Sequence, residues 1–143
     1  MKKKILISLI AICTMLFAFG IINASAESSG TCGTNLTWTL NGDTLTISGQ
    51  GTMTNWTNNL KVPWYSLKED IVKIVIADGV TTIGDRAFGF CSSLVSITIP
   101  DGVTSIGDAA FSRCGSIKGI IIPGSVTSIG EYAFYDCNNL RVV

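Results

Sequence analysis

The sequence contains no histidine. That absence removes Ser-His-Asp and Cys-His catalysis, and with them every metal site that relies on imidazole. No P-loop spacing occurs, and no glycine-rich dinucleotide fingerprint follows a strand-like run. Charge is scarce as well: Asp, Glu, Lys and Arg make up 14% of the 143 residues, 10 basic and 10 acidic. No basic stripe marks a nucleic-acid footprint. The expectation is a non-enzymatic chain with no cofactor, no metal and no nucleic-acid partner.

What is present begins with an export signal. Met1-Lys2-Lys3-Lys4 is a basic start, Ile5 to Ile22 is nearly all apolar, and Ala24-Ser25-Ala26 is a small-x-small cleavage motif. Retention as a membrane anchor is the alternative, because the run approaches bilayer-spanning length. The cleavage motif and the polar Glu27-Ser28-Ser29-Gly30 tail favour removal, so residues 1–26 are expected to be a signal peptide. Its loss takes away Lys2, Lys3 and Lys4, leaving 7 basic against 10 acidic residues, a formal charge of −3.

From Ile74 to Val142 the chain repeats itself three times, without gaps, at a period of 23 residues. Ile76, Ile99 and Ile122 coincide, as do Val80, Val103 and Val126, and Ile83, Ile106 and Ile129. Gly84, Gly107 and Gly130 follow, then Ala87-Phe88, Ala110-Phe111 and Ala133-Phe134, and finally Cys91, Cys114 and Cys137. A fixed period of this length signifies a solenoid, in which a unit buries its apolar side only against its neighbour.

Within a repeat, Ile97-Thr98-Ile99 alternates as a strand with Thr98 outward, and Pro100-Asp101-Gly102 turns the chain. Val103 to Ile106 is a second extended segment. Asp108 is placed to cap a short helical turn, Ala109 to Ser112, that carries Phe111 into the core. Capping also accounts for the acidic row Asp85, Asp108 and Glu131, for which calcium is the other reading. The three repeat cysteines stand at one ladder position, where parallel Cβ vectors disfavour bridging, so free buried thiols are expected. Cys32 lies apart in the sequence, and three sulfurs alone make a poor zinc site.

Ahead of the repeats, Ser28 to Gly33 reads as a polar lead. Leu36 to Leu40 and Thr44 to Ser48 alternate around Asn41-Gly42, which signals a β-hairpin. Thr52 to Leu60 reads as loop, a short helix is expected around Ser66 to Asp70, and Ile71 to Ile76 is a strand. Trp38, Trp56 and Trp64 all fall here and none in the repeats. They read as a plug for the first coil; the other reading is an aromatic platform for sugar. The expected organisation is a signal peptide (1–26), an N-terminal β capping module (27–70) and a β-rich solenoid of three repeats (71–143).

"IGDAAFSRC" and "IGEYAFYDC", joined by "IIPGSVTS", resemble the BspA-type leucine-rich repeats of bacterial surface proteins. "CGTNLTWTLNGDTLTISGQGTM" and "VPWYSLKEDIVKIVIADGVTTIGDRAF" resemble the module that often precedes such repeats. The resemblance covers residues 32–143. It implies a leucine-rich-repeat-like fold, a secreted or cell-surface location in a bacterium, and adhesion or binding to a host or matrix protein.

The expected binding face is the outward side of the strand column: Lys73, Val75, Ser96, Thr98, Gly119 and Ile121. A carbohydrate- or cell-wall-binding module and a purely structural spacer are the alternatives. At the far end Ile120, Ile122, Phe134 and Leu140 have no polar cap after them. The expectation there is a longer array or self-association through this end, with a free strand edge at Arg141 to Val143.

Overall fold

The computed structural model describes residues 28–141. The signal peptide expected at residues 1–26, and Val142 and Val143 of the expected strand edge, lie outside the described residues. In chain order the strands are β1 (Ser28–Gly33), β2 (Leu36–Asn41), β3 (Thr44–Gly49), β4 (Gly51–Thr52), β5 (Lys73–Ile76), β6 (Val80–Ile83), β7 (Ser96–Thr98), β8 (Ser105–Ile106) and β9 (Ser128–Ile129). They form two sheets, one ordered β1-β2-β3-β5-β7 and the other β4-β6-β8-β9.

Alternation decides which side chains enter the core. Leu36, Trp38 and Leu40 of β2, Leu45 and Ile47 of β3, and Ile74 and Ile76 of β5 are all buried. The hairpin pairs Asn41 with Thr44, so Gly42 and Asp43 form its two-residue turn, and Gly42 takes the left-handed φ of 59° that such a turn demands. β3 then pairs in parallel with β5, and β5 with β7, aligning Leu45, Ile74 and Ile97. In the second sheet Ile83, Ile106 and Ile129 align in the same way.

Between the sheets runs an aromatic stack. Trp64 lies on Phe88, Phe88 on Phe111 and Phe111 on Phe134, with ring centroids 5.6, 5.4 and 5.4 Å apart. Trp38 and Trp56 meet Trp64 edge-on at 5.7 and 5.5 Å, and the Trp64 indole donates to the Ala87 carbonyl at 2.8 Å. The hairpin module and the repeats therefore share one core.

Four local expectations are corrected. Ser28–Gly33 is a strand, not a polar lead: it pairs antiparallel with β2 and turns Cys32 inward. Its Ser and Gly content hides the alternation. Gly51–Thr52, at whose end the sequence showed only the start of a loop, opens the second sheet by pairing with β6. The helix expected around Ser66 to Asp70 is instead a single 3-10 turn at Tyr65–Leu67, and the loop expected at Thr52 to Leu60 ends in another at Asn59–Lys61.

The helical turn expected at Ala109 to Ser112 is also absent. Ala109 and Arg113 take left-handed φ values of 52° and 62°. Their N–H groups, and that of Phe111, then point across to the next coil. Ala109 donates to Glu131 O at 2.8 Å, Phe111 to Ala133 O at 2.8 Å and Arg113 to Tyr135 O at 2.7 Å. A helix would have turned those donors along its own axis. Stacking wins because it satisfies three donors per turn at once.

Candidate binding surface

On the outer side of the first sheet Lys73 pairs with Ser96 and Val75 with Thr98. Lys73, Ser96 and Thr98 are exposed and Val75 is half-buried. Gly119 and Ile121 occupy the corresponding positions of the following coil. Both are exposed, Ile121 at 85%, but the chain there is not part of a paired strand. The structure thus brings four of the six expected residues into one register and places the other two just beyond it.

The face also reaches further than the repeats. β3 pairs Thr44 with Lys73 and Thr46 with Val75, and β2 pairs Thr39 with Thr46. The hydroxyl-rich side of the hairpin is thereby continuous with the repeat face. The sequence signalled the outward threonines through alternation. It carried no signal that β3 would join β5 across the intervening loop.

The second sheet carries a shallow polar groove of about 440 Å³ lined by Thr52, Thr82, Ser105, Asn55, Asp85 and Asp108 among others. Its acidic row is organised between coils, not within them. Asn55 Oδ1 accepts from the N–H of Asp85, Asp85 Oδ1 from that of Asp108, and Asp108 Oδ1 from that of Glu131, at 3.0, 2.9 and 2.8 Å. This corrects the capping assigned to Asp108: the carboxylate caps the next coil's backbone. Asn55 is a rung that sequence reasoning missed. Among the described residues no group of three or more Cys, Asp or Glu side chains is placed to hold a metal ion.

On the turn side a mixed row of aromatic and charged side chains is half-buried, with Arg113 exposed. Lys68 Nζ lies 4.6 Å over the Tyr65 ring, Tyr65 meets Phe90 edge-on at 6.3 Å, and Arg113 Cζ lies 5.0 Å over Phe90. Tyr132 and Tyr135, one repeat further on, are exposed at 69% and 54%. In contrast Trp38, Trp56 and Trp64 are buried at 6%, 7% and 1% exposure. None of the three offers a ring face to a sugar.

The family profile described as "BspA type leucine rich repeat region (6 copies)" matches residues 64–143. The chain belongs to this family. Among solved structures, this BspA-type chain is similar to a leucine-rich repeat protein from Eubacterium ventriosum, with 29% identity and a TM-score of 0.67 over 82% of this chain. It is also similar to a leucine-rich cell surface protein from Faecalibacterium prausnitzii, at 18% identity, TM-score 0.45 and 80% of this chain. A third is the leucine-rich repeat protein of T. pallidum, at 23% identity, TM-score 0.47 and 85% of this chain. The BspA-type chain spans 37%, 54% and 70% of those three proteins' own lengths. No curated protein matches it significantly.

Among the described residues of this leucine-rich repeat module the four cysteines are free. Cys32, Cys91 and Cys114 are buried and Cys137 is half-buried. Cys114 Sγ donates to Phe88 O at 3.1 Å and Cys137 Sγ to Phe111 O at 3.0 Å, so the thiols tie coils together. Burial pushes the Cys32 thiol up to about 11 and the Cys91 thiol up to about 12, with Glu69 adding to the latter. Burial raises Cys114 and Cys137 too. Burial thus keeps Cys32, Cys91 and Cys114 protonated as packing groups, while Cys137 is the most accessible of the four.

Proposed function

We propose that the chain is a non-catalytic leucine-rich repeat module, exported and secreted or displayed at the cell surface, that binds a protein partner through the outer face of its first sheet. We further read the array as 23-residue repeats and residues 27–70 as a cap over its first coil. Bonds between groups 23 residues apart, such as Thr104 Oγ1 to Thr81 O, support that period. The Trp64–Phe88 stack supports the cap.

The observation that carries the binding assignment is the aligned, outward row of Lys73, Val75, Ser96 and Thr98, extended by Thr44 and Thr46. It holds one charged residue, and its backbone is fixed by parallel pairing. Extended repeat faces of this kind suit protein recognition without loop reordering.

The test is binding of residues 27–143 to immobilised extracellular-matrix and host-cell surface proteins, with Thr98→Arg as the control. We expect at least tenfold weaker binding for Thr98→Arg with an unchanged urea midpoint. A folded chain that binds nothing across such a panel, but binds a glycan array, would replace the assignment by the carbohydrate one.

A further inference from the structure

We draw no further inference here: the strongest candidate, the apolar hollow of the last described coil formed by Ile120, Ile122, Phe134 and Leu140, is unpartnered among the described residues, and nothing in the structure shows what covers it.

Discussion

Asp85 Oδ1 accepts the backbone N–H of Asp108, 23 residues later, at 2.9 Å. The bond joins two coils at the corner where each leaves the second sheet. Asp108 repeats it toward Glu131, and Asn55 supplies the first rung. A side chain of one coil thus completes the backbone of the next, which couples neighbours beyond their shared apolar core.

Asp108→Ala removes the acceptor for the Glu131 N–H, while Asp108→Asn keeps an oxygen in the same place. The site is exposed, so water partly compensates. We expect Asp108→Ala to cost about 0.5–1.5 kcal/mol and Asp108→Asn clearly less. Urea midpoints of the two variants check this; equal losses would mean that the hydrogen bond is not what Asp108 contributes.

The strand columns were legible because alternation and period report burial directly, as Ile74, Ile97, Ile83 and Ile106 show. The turns were not. Ala110-Phe111 suits a helix locally, yet Ala109 and Arg113 adopt left-handed φ because their donors bond the next coil, a tertiary gain no local pattern announces. Gly107 was legible only as a bend. A Cβ there would sit 2.7 Å from the Gly84 carbonyl carbon, so glycine is what lets successive corners approach. Asn55 escaped notice because its rung spans 30 residues and breaks the period. The outward face was readable as far as the repeats, and its continuation onto Thr44 and Thr46 depended on a strand order the sequence does not encode locally.

The aromatic stack separates complete from incomplete burial. Phe111 lies between Phe88 and Phe134 and is fully buried, whereas Phe134 is half-buried and, among the described residues, stacks on Phe111 alone. We expect Phe111→Ala to cost about 3–5 kcal/mol, a large share of a small domain's roughly 5–15 kcal/mol. Phe134→Ala should cost about 1–1.5 kcal/mol, in proportion to the area it covers. Urea unfolding followed by circular dichroism distinguishes them. Equal midpoints would show that the described coil packing is wrong.

The thiol ladder sets a pH dependence. A thiol in the unfolded chain titrates near 9.0, while burial holds Cys91 at about 12. Below 9.0 both states keep the proton and the contribution of burial is fully present. As pH rises from 9.0 toward 12, the unfolded chain releases a proton that the folded chain retains, so stability falls. The urea midpoint should decline across that window, and more shallowly in Cys91→Ala. An unchanged slope would contradict the assignment. In the native state near neutral pH, a thiol reagent should modify half-buried Cys137 first and reach Cys91 and Cys114 only on unfolding.

Trp64 joins the hairpin module to the repeats. It meets Trp38 and Trp56 in T-shaped contacts, stacks on Phe88, and donates its indole N–H to the buried Ala87 carbonyl. Trp64→Phe keeps an aromatic ring in place but leaves that carbonyl without its donor, an expected loss of about 1–3 kcal/mol. Trp64→Ala removes the aromatic contact between the two parts, leaving the β3–β5 and β4–β6 pairings, and should cost about 3–5 kcal/mol. Trp38 and Trp56 remain as reporters of the N-terminal side, while circular dichroism follows the sheets as a whole. In the unmutated chain the two signals should change together, as one shared core requires. In Trp64→Ala the fluorescence should shift at lower urea than the dichroism, because the hairpin is then held to the first coil by strand pairing without its aromatic anchor. Coincident transitions at the original midpoint would show that other contacts hold the two parts together.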